Sequence, residues 1–395
     1  MIEAAAGAVF AATFLALALG RIGRIPLARG ASALIGGLLT ALLLRLSWRV
    51  IDFDVIALLA GLMVLAGLAQ EAGLFAGLRR RLLRLPPAAA LWVAAVVVAL
   101  ASAVLLNDAA VVVLVPFLIP VIRNLGLPAA PSVALLAVAA NIGSLLTPFG
   151  NPQNAVLARA AGLGVGDFLA VQGPLALAGI GMLGVAAACL GRNAVPPGAP
   201  EVPHAQPQAR AWLAACVAAF LVLAALTPVL PITLGAAAVL AAAAAYAGLR
   251  VRLGRGADHA AWRGLDWNVI ALFVGLYYLT GGLAAWFPSA WVPTDRLADP
   301  WTAAAATTLL SNVVGNVPAI LALLRLDPAW TVAHAPFLVA TSTLGGALLL
   351  TGSAASLLAA DQARKAGVHL GFLPFLRLAV PVVFPLLVLA AWATW

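Results

Sequence analysis

The chain has 395 residues, of which 64% are hydrophobic and only 9% are charged. A soluble domain carries about 25% charged residues. This composition therefore excludes a soluble globular protein and predicts that lipid faces much of the surface. The formal net charge of +9 does not indicate a nucleic-acid partner, because the arginines fall in short loops between apolar runs, where they report membrane orientation.

The apolar stretches in chain order predict the membrane crossings. A spanning helix needs about 20 apolar residues, and no basic segment precedes the first stretch, so we predict a retained transmembrane helix rather than a cleaved signal peptide. The ten predicted crossings are residues 4–20, 30–47, 54–71, 130–158, 168–190, 211–227, 231–249, 267–286, 334–360 and 371–393.

Two further apolar segments, 87–123 and 301–325, are predicted to leave the membrane on the side where they enter it. The second segment has polar residues at its centre, and each arm of about a dozen residues reaches only about 18 Å as a helix. Such an arm is too short for a hydrocarbon core of about 30 Å, so we predict a re-entrant hairpin. The same prediction extends to 87–123, although its longer first arm also allows a full crossing with a tight turn.

The two halves of the chain resemble each other. WRVIDFDVIAL at 48–58 recurs as WRGLDWNVIAL at 262–272, and SAVLLN at 102–107 recurs as SNVVGN at 311–316. Internal duplication is typical of secondary transporters. We therefore predict an all-α membrane protein with a first repeat at 1–190, a proline-rich cytoplasmic linker at 191–210 and a second repeat at 211–395.

Arginine placement predicts the orientation of these repeats. Counting the crossings places most arginines, including Arg79, Arg80, Arg81 and Arg250, on one side, which should be cytoplasmic. Ten crossings then put both termini on the periplasmic side of a bacterial inner membrane. Each half has an odd number of crossings, so the repeats should be inverted relative to each other.

The fourth crossing is interrupted by NIGSLLTPFGNPQN at 141–154. Gly150 and Pro152 oppose helix, and non-helical backbone at membrane depth persists only where protein or a wet cavity satisfies it. Unwound carbonyls suit a cation, and the N-terminus of the following half-helix suits an anion. The alternative is a surface loop between two short helices, although neither helix alone would span the membrane.

The ninth crossing carries an equivalent break, TSTLGG at 341–346 followed by TGSAAS at 351–356. The structural alternative is that these small residues permit close helix packing. We expect the two breaks and the two hairpin tips to meet in one polar site. The predicted site residues are Asn107, Asp108, Asn141, Thr147, Gly150, Asn151, Asn154, Ser311, Asn312, Asn316, Thr351, Gly352, Ser353 and Ser356.

Asp108 is the only acid predicted to lie deep in the bilayer. A carboxylate there is costly, so such residues usually face a cavity and serve function. Asp108 could bind Na+ near Asn107 and Gly150, or carry a proton. The structural alternative is that it caps the helix that begins at Ala109. No cofactor is expected apart from Na+ as a coupling ion, because the histidines and cysteines are scattered.

Asn107-Asp108-Ala109 with its apolar arm, and the Asn-Pro-Gln-Asn break at 151–154, resemble the ion transporter superfamily. The resemblance covers nearly the whole chain and is strongest to citrate-transporter-like and SLC13-like anion permeases, which are related to arsenite permeases. It implies a homodimer in which a scaffold domain holds a mobile transport domain. That transport domain contains both hairpins and both broken helices and moves as an elevator.

The resemblance departs from the sodium-coupled branch at the hairpin tips. That branch carries Ser-Asn-Thr at each tip, whereas Leu106 and Asp108 flank Asn107 here. At the second tip the matching asparagine is either Asn312 or, by the internal repeat, Asn316. An Asn-Asp tip is more similar to the arsenite and citrate-transporter-like branches.

The sequence thus predicts a secondary active transporter of a small, carboxylate-like anion or oxyanion, coupled to Na+ or H+. An arsenite efflux permease or a Na+/H+ antiporter on the same scaffold is the alternative. A passive channel is a further alternative, which the confinement of polar residues to the midplane disfavours. No enzymatic activity is expected, because hydrolase, zinc-protease and P-loop motifs are absent from the sequence. The expected partners are a small-molecule anion, the lipid bilayer and a second copy of the chain.

Overall fold

The computed structural model describes residues 2–19, 21–22, 25–26, 28–192, 194, 207–226, 230–286 and 297–395. Most of the predicted linker at 191–210 lies outside these residues. One antiparallel pairing joins the two-residue strands β1 (Arg21–Ile22) and β2 (Ile25–Pro26), and a short 3-10 helix occupies Trp48–Val50. The α-helices are α1 (Ile2–Leu19), α2 (Arg29–Leu44), α3 (Phe53–Glu71), α4 (Ala76–Leu82), α5 (Pro87–Leu105), α6 (Asn107–Asn124), α7 (Ala129–Ser144), α8 (Pro152–Ala161), α9 (Val165–Gly191), α10 (Pro207–Leu226), α11 (Leu234–Leu253), α12 (Arg255–Gly264), α13 (Trp267–Trp286), α14 (Pro300–Val314), α15 (Asn316–Leu326), α16 (Pro328–Ala333), α17 (Ala335–Leu348), α18 (Ala354–Lys365) and α19 (Phe372–Ala393).

The apolar helices follow the predicted crossings. Each crossing coincides with one helix or, at α7–α8 and α17–α18, with two helices separated by a break. In the described part of the chain, seven helices are long and apolar enough to cross a membrane, namely α3, α5, α6, α9, α10, α11 and α19, and four shorter helices are also apolar. The predicted all-α membrane fold with discontinuous helices is confirmed.

The chain folds into two compact units, and each unit draws on both halves of the sequence. Unit 1 comprises Met1–Arg84 and Ala199–Gly282, which include α1–α4 and α10–α12 with most of α13. Unit 2 comprises Leu85–Gly198 and Leu283–Trp395, which include α5–α9 and α14–α19. Both predicted hairpins and both broken helices therefore belong to unit 2.

Reciprocal contacts between the two halves hold unit 1 together. Gly235 N, at the start of α11, donates a hydrogen bond to Asp54 Oδ1 at 3.0 Å, and Gly30 N, at the start of α2, donates to Asn268 Oδ1 at 3.0 Å. Asp54 and Asn268 occupy the same place in the repeated WR segment. An exchange of equivalent contacts is what a two-fold relation between two copies produces. These contacts support the predicted internal duplication.

The hairpins of unit 2 turn at equivalent residues. Leu106, between α5 and α6, has φ 70° and ψ 140°, and Gly315, between α14 and α15, has φ 93° and ψ 159°. Both conformations lie in a region that L-residues rarely adopt. The returning arms begin at Asn107 and Asn316, so the structure matches Asn107 with Asn316 rather than with Asn312.

The arms of the two hairpins differ in length. Helices α5 and α6 have 19 and 18 residues, which correspond to about 28 and 27 Å. Helices α14 and α15 have 15 and 11 residues, or about 22 and 16 Å. The arms of the first hairpin approach the thickness of a bilayer core, whereas those of the second do not. The re-entrant course of both hairpins stays a prediction.

The breaks in α7–α8 and α17–α18 fall at matching places in the two halves. The second segments begin after Asn151 and Ser353, which the constant offset between the repeats pairs with each other. Every residue of α7 from Ser132 onward is buried, as is nearly all of α17. Because these helices are buried on all sides, they form the core of unit 2.

Candidate functional site

The predicted site residues all lie in unit 2, at the two hairpin tips and the two helix breaks. Thr147, Asn312 and Thr351 are partly exposed, and the other members are buried. Asn141, Asn154, Ser311 and Ser356 have no exposed side-chain surface at all, with relative exposures of 0%. Buried polar groups are costly without hydrogen-bond partners, so the partners of each group indicate its role.

Asn141 joins three of the four polar segments. Its Oδ1 accepts hydrogen bonds from Asn107 Nδ2 at 3.2 Å and from Ser353 Oγ at 3.0 Å, while its Nδ2 donates to Ala137 O at 3.0 Å. Asn107 lies at the first hairpin tip and Ser353 at the break of the second half. The structure therefore brings the two halves together at this point.

The first break is held in an unwound conformation by its own amides. Asn154 Nδ2 donates to Ser144 O at 2.7 Å and to Thr147 O at 3.2 Å. Gly150 O accepts a hydrogen bond from Asn107 N at 2.9 Å, which ties the break to the hairpin tip. A Cβ at Gly150 would lie 2.2 Å from Ser144 O, so only glycine fits this approach.

The second break is held in the same way by the second hairpin. Asn312 Nδ2 donates to Gly345 O at 2.7 Å and to Thr308 O at 2.8 Å. With its amide oriented to satisfy its neighbours, Asn316 donates to Ser342 O and to Gly352 O, both at 3.2 Å. A Cβ at Gly352 would lie 2.2 Å from Asn312 Oδ1. Both candidate asparagines therefore contribute here, although only Asn316 occupies the place of Asn107.

A second link crosses between the halves. Gln153 Nε2, on the second residue of α8, donates to Thr343 Oγ1 at 3.1 Å and lies 3.3 Å from Asn316 Oδ1 in the satisfied orientation of that amide. Gln153 and Thr343 are both fully buried. Thr343 stands at the position that the repeat pairs with Asn141, so each of these two positions receives a hydrogen bond from the opposite half.

The two helices that follow the breaks start without a side-chain cap. Asn and Ser are preferred N-cap residues, yet neither Asn151 nor Ser353 caps its helix. Asn151 Nδ2 instead donates to Ser144 Oγ at 3.4 Å, and the Ser353 hydroxyl bonds to Asn141. Helix α8 begins with Pro152, which has no N–H, and Asn154 N donates to Asn151 O at 3.0 Å, so the first turn of α8 offers the N–H of Gln153. Helix α18 begins with Ala354, and its first N–H groups have no side-chain cap at the positive end of the helix dipole.

The unmet hydrogen-bonding capacity of the site's side chains resides in oxygen atoms. The amide nitrogens of Asn107, Asn141, Asn151, Gln153, Asn154 and Asn312 all donate to protein acceptors. Among the side chains that the structure describes in these segments, the buried atoms without a partner are Ser102 Oγ, Asp108 Oδ1, Gln153 Oε1, Asn154 Oδ1, Ser311 Oγ, Asn312 Oδ1, Ser342 Oγ and Ser356 Oγ. Carboxylate, amide and hydroxyl oxygens are the groups that coordinate hard cations.

Asp108 lies in the first turn of α6 and does not cap it. The N-cap position is Leu106, and the backbone N–H of Asp108 is bonded by Asn107 Oδ1 at 2.9 Å. The alternative that Asp108 is a helix cap is therefore wrong. Its side chain is only 5% exposed and keeps one carboxylate oxygen without a protein partner.

Three residues outside the predicted set belong to the same cluster. Ser102 stands five residues before Asn107, as Ser311 stands five before Asn316, and both hydroxyls are buried without a partner. The internal repeat could have identified Ser102 as a site residue, because Ser102 begins the SAVLLN segment that matches SNVVGN. Gln153 and Thr343 lie within the predicted breaks, but no sequence pattern indicates that they face each other.

Asp361 is a second buried acid, and it directly follows the predicted crossing at 334–360. It lies near the end of α18, is 3% exposed, and forms ion pairs with Arg364 at 2.7 Å and Lys365 at 3.3 Å. These pairs neutralise it within its own helix. No group of three or more His, Cys, Asp or Glu residues suited to a metal ion occurs in the described part of the chain.

Comparison with known proteins gives a family match. The model of a family described as citrate transporter matches residues 14–335. Inner membrane protein YbiR of Escherichia coli (strain K12) is 30% identical over 369 residues, which are 87% of this chain and 90% of that protein.

Two further similarities are more limited. The silicon efflux transporter LSI3 of Oryza sativa subsp. japonica is 32% identical over 164 residues, which are 40% of this chain and 34% of that protein. The crystal structure of the YdaH transporter of Alcanivorax borkumensis covers 85% of this chain and 83% of its own, with 17% identity and a TM-score of 0.48.

Proposed function

We propose that this chain, which belongs to the citrate transporter family of membrane transporters, carries a small anion or oxyanion by secondary active transport coupled to Na+ or H+. The observation that carries the proposal is the pair of uncapped helix starts at Asn151 and Ser353. Both residues are of capping type, and both direct their side chains elsewhere.

The two helix starts offer hydrogen-bond donors and positive electrostatic potential to an anion. Exposed N–H groups and the positive end of a helix dipole form a site for carboxylate or oxyanion groups. Here the two starts come from opposite halves, which the bond from Ser353 to Asn141 connects. We propose that an anion placed between them receives the N–H of Gln153 from α8 and the first N–H groups of α18, with hydroxyls such as that of Ser356 completing the shell.

The unpartnered oxygens are potential ligands for a coupling cation. Asp108 Oδ1, Ser102 Oγ and Asn154 Oδ1 are buried in the first half without partners. We propose that Na+ binds near Asp108 with oxygens of the hairpin tip and the break, or that Asp108 carries a proton in its place. A cation here would also offset the negative charge of the transported anion, for which the predicted site offers no lysine or arginine.

The division of the chain supports an elevator-type mechanism. Both hairpins and both broken helices lie in one compact unit, as the family resemblance expects of a transport domain. We propose that unit 2 carries the site across the membrane and that unit 1 is the scaffold. In a bacterial inner membrane both termini would be periplasmic, and the homodimer would form through the scaffold.

A second candidate is efflux of an uncharged oxyacid such as arsenite. The amide nitrogens in the site are already used, and its free side-chain atoms are oxygens, which can accept hydrogen bonds from the hydroxyls of a neutral solute. The match to a silicon efflux transporter agrees with this candidate. Na+/H+ antiport through Asp108 is the third candidate function.

Ligand-dependent thermal unfolding of the purified protein tests these alternatives. A ligand that binds only the folded state raises the melting temperature as its concentration increases. We expect citrate, other carboxylates or sulfate to stabilise the wild type in the presence of Na+, and Ser356→Ala to reduce that shift. Stabilisation by arsenite alone would favour the efflux candidate. Stabilisation by none of the anions, with a response to Na+ and pH only, would favour antiport and refute anion transport.

A further inference from the structure

One end of unit 1 carries a concentration of arginines. This end is formed by the last turn of α3, by α4, by the start of α10 and by the last turns of α11. Residues 71–84, 207–212 and 248–253 contain a single acid, Glu71, and seven arginines, namely Arg79, Arg80, Arg81, Arg84, Arg210, Arg250 and Arg252. This excess of positive charge indicates an anionic partner.

Arginines of α4 and α10 meet on one face of α4. A Cβ at Gly77, in α4, would lie 3.9 Å from Arg210 Nη2, so the Arg210 side chain lies against this side of the helix. Arg80 and Arg81 stand three and four residues after Gly77 and therefore share the same side. Both of these side chains are exposed. Three guanidinium groups from two helices are thus directed to one place.

The positive charge of this face is not neutralised by the protein. Arg250, on α11, forms an ion pair with Asp258 at 2.8 Å. Among the described residues, in contrast, no ion pair involves Arg210 or an arginine of 79–84. The buried Nε atoms of Arg79 and Arg210 also have no hydrogen-bond partner. Like charges on one helix face destabilise it, so a bound anion would stabilise this arrangement.

The arginines lie at the ends of two helices that can span the membrane. Helices α3 and α10 are both long and apolar enough to do so. Helix α4 closely follows α3, and Arg210 lies in the first turn of α10. Beside these arginines, Trp212 and Leu85 expose apolar surface, and the Trp212 ring lies 5.2 Å from Arg252 Cζ. Arginine and tryptophan at the ends of spanning helices are typical of the depth at which lipid headgroups lie.

We propose that the arginine surface of unit 1, formed by the arginines at 79–81 and Arg210, binds the phosphate group of an anionic phospholipid. A guanidinium group binds two phosphate oxygens at once, and residues on two helices enclose the headgroup. Unit 1 ends at Arg84, just after α4, and resumes at Ala199, before α10. The bound lipid therefore ties together the two segments that lead to and from unit 2. This proposal does not depend on the solute that is transported.

Lipid-dependent thermal unfolding of the purified full-length protein tests the proposal. We would measure the melting temperature in detergent micelles that contain increasing fractions of phosphatidylglycerol, with phosphatidylcholine as the zwitterionic control and inorganic phosphate as the free anion. A ligand of the folded state raises the melting temperature as its concentration increases. We expect this response to phosphatidylglycerol alone, and we expect it to weaken at high salt because the contacts are electrostatic.

Variants locate the response on the arginine surface. An arginine near anionic headgroups contributes about fivefold to binding, so the triple variant Arg80→Gln, Arg81→Gln, Arg210→Gln should bind phosphatidylglycerol roughly a hundredfold more weakly. Arg49→Gln is the matched control, because Arg49 is an exposed arginine of unit 1 that precedes α3, at the opposite end of that helix. Its affinity should stay that of the wild type. If the triple variant does not fold, Arg80→Gln and Arg81→Gln each change one exposed side chain and should each lose about fivefold.

Three results would overturn the proposal. Equal stabilisation by phosphatidylglycerol and phosphatidylcholine would show that the headgroup charge is not recognised. Equal stabilisation by inorganic phosphate, at the same phosphate concentration, would show that the surface binds a free anion rather than a lipid. An undiminished response to phosphatidylglycerol in the triple variant, or in both single variants, would place lipid binding elsewhere on the protein.

Discussion

Ser353 Oγ donates a hydrogen bond to Asn141 Oδ1 at 3.0 Å, and this bond joins the two halves of the chain inside the core of unit 2. Both side chains are buried, with exposures of 3% and 0%. Asn141 Oδ1 also accepts from Asn107 Nδ2, so one oxygen atom positions a hairpin tip and a helix break. The geometry of the polar site therefore depends on this residue pair.

Substitutions at this pair should reveal how much stability the contact provides. Ser353→Ala removes one buried hydrogen bond and should cost about 1 kcal/mol, whereas Asn141→Leu leaves two buried donors unpaired and should cost about 2–4 kcal/mol. Thermal unfolding of the purified variants measures the difference. Ser356→Ala is the matched control, because its hydroxyl is equally buried but has no partner. Equal melting temperatures for Ser353→Ala and Ser356→Ala would contradict the importance of the bond.

Asp108→Asn should leave the fold intact and abolish cation coupling. The change preserves the shape of the side chain, and the carboxylate has an oxygen without a protein partner, so no ion pair among the described residues is lost. We expect a melting temperature equal to or above that of the wild type, because the cost of burying a charge disappears. Transport into proteoliposomes should no longer respond to a Na+ or pH gradient. Coupled transport at the wild-type rate would exclude Asp108 from the mechanism.

Much of this arrangement could be predicted from the sequence, because hydrophobic length and the internal repeat are properties of the chain alone. The break near Gly150 and its counterpart near Gly352 were found from helix-breaking residues and a constant offset. The bond from Gln153 to Thr343 could not be found in this way. It depends on the direction of a side chain across an interface between helices, and a repeat does not specify which side chains cross that interface. The burial of Asp361 was missed because apolar length does not locate the end of a helix to within one turn.

Alanine at the two break glycines should destabilise unit 2. A Cβ at Gly150 would approach Ser144 O to 2.2 Å and one at Gly352 would approach Gly346 O to 2.5 Å, and such overpacking typically costs about 1–3 kcal/mol. Gly181, in α9, has nothing within 4 Å of a Cβ, so Gly181→Ala should stabilise its helix by about 0.5–1 kcal/mol. Melting temperatures in detergent give the comparison. If the melting temperatures of all three variants decreased equally, the close approaches at the breaks would not be the cause of the destabilisation.

The first hairpin tip offers a test of backbone strain that is independent of ligand binding. Leu106 holds φ 70° and ψ 140°, close to the conformation that Gly315 adopts at the second tip. Such a conformation destabilises the folded state by about 1–3 kcal/mol for a residue with a Cβ, and glycine adopts it without this cost. Leu106→Gly and Leu106→Ala both lose the buried leucine side chain, so their difference isolates the backbone term. We expect the glycine variant to be more stable than the alanine variant by about 1 kcal/mol, opposite to the usual order of these residues within a helix. A more stable alanine variant would mean that position 106 does not hold this turn. The pairing of Asn107 with Asn316, which rests on the equivalence of the two tips, would then lose its structural support.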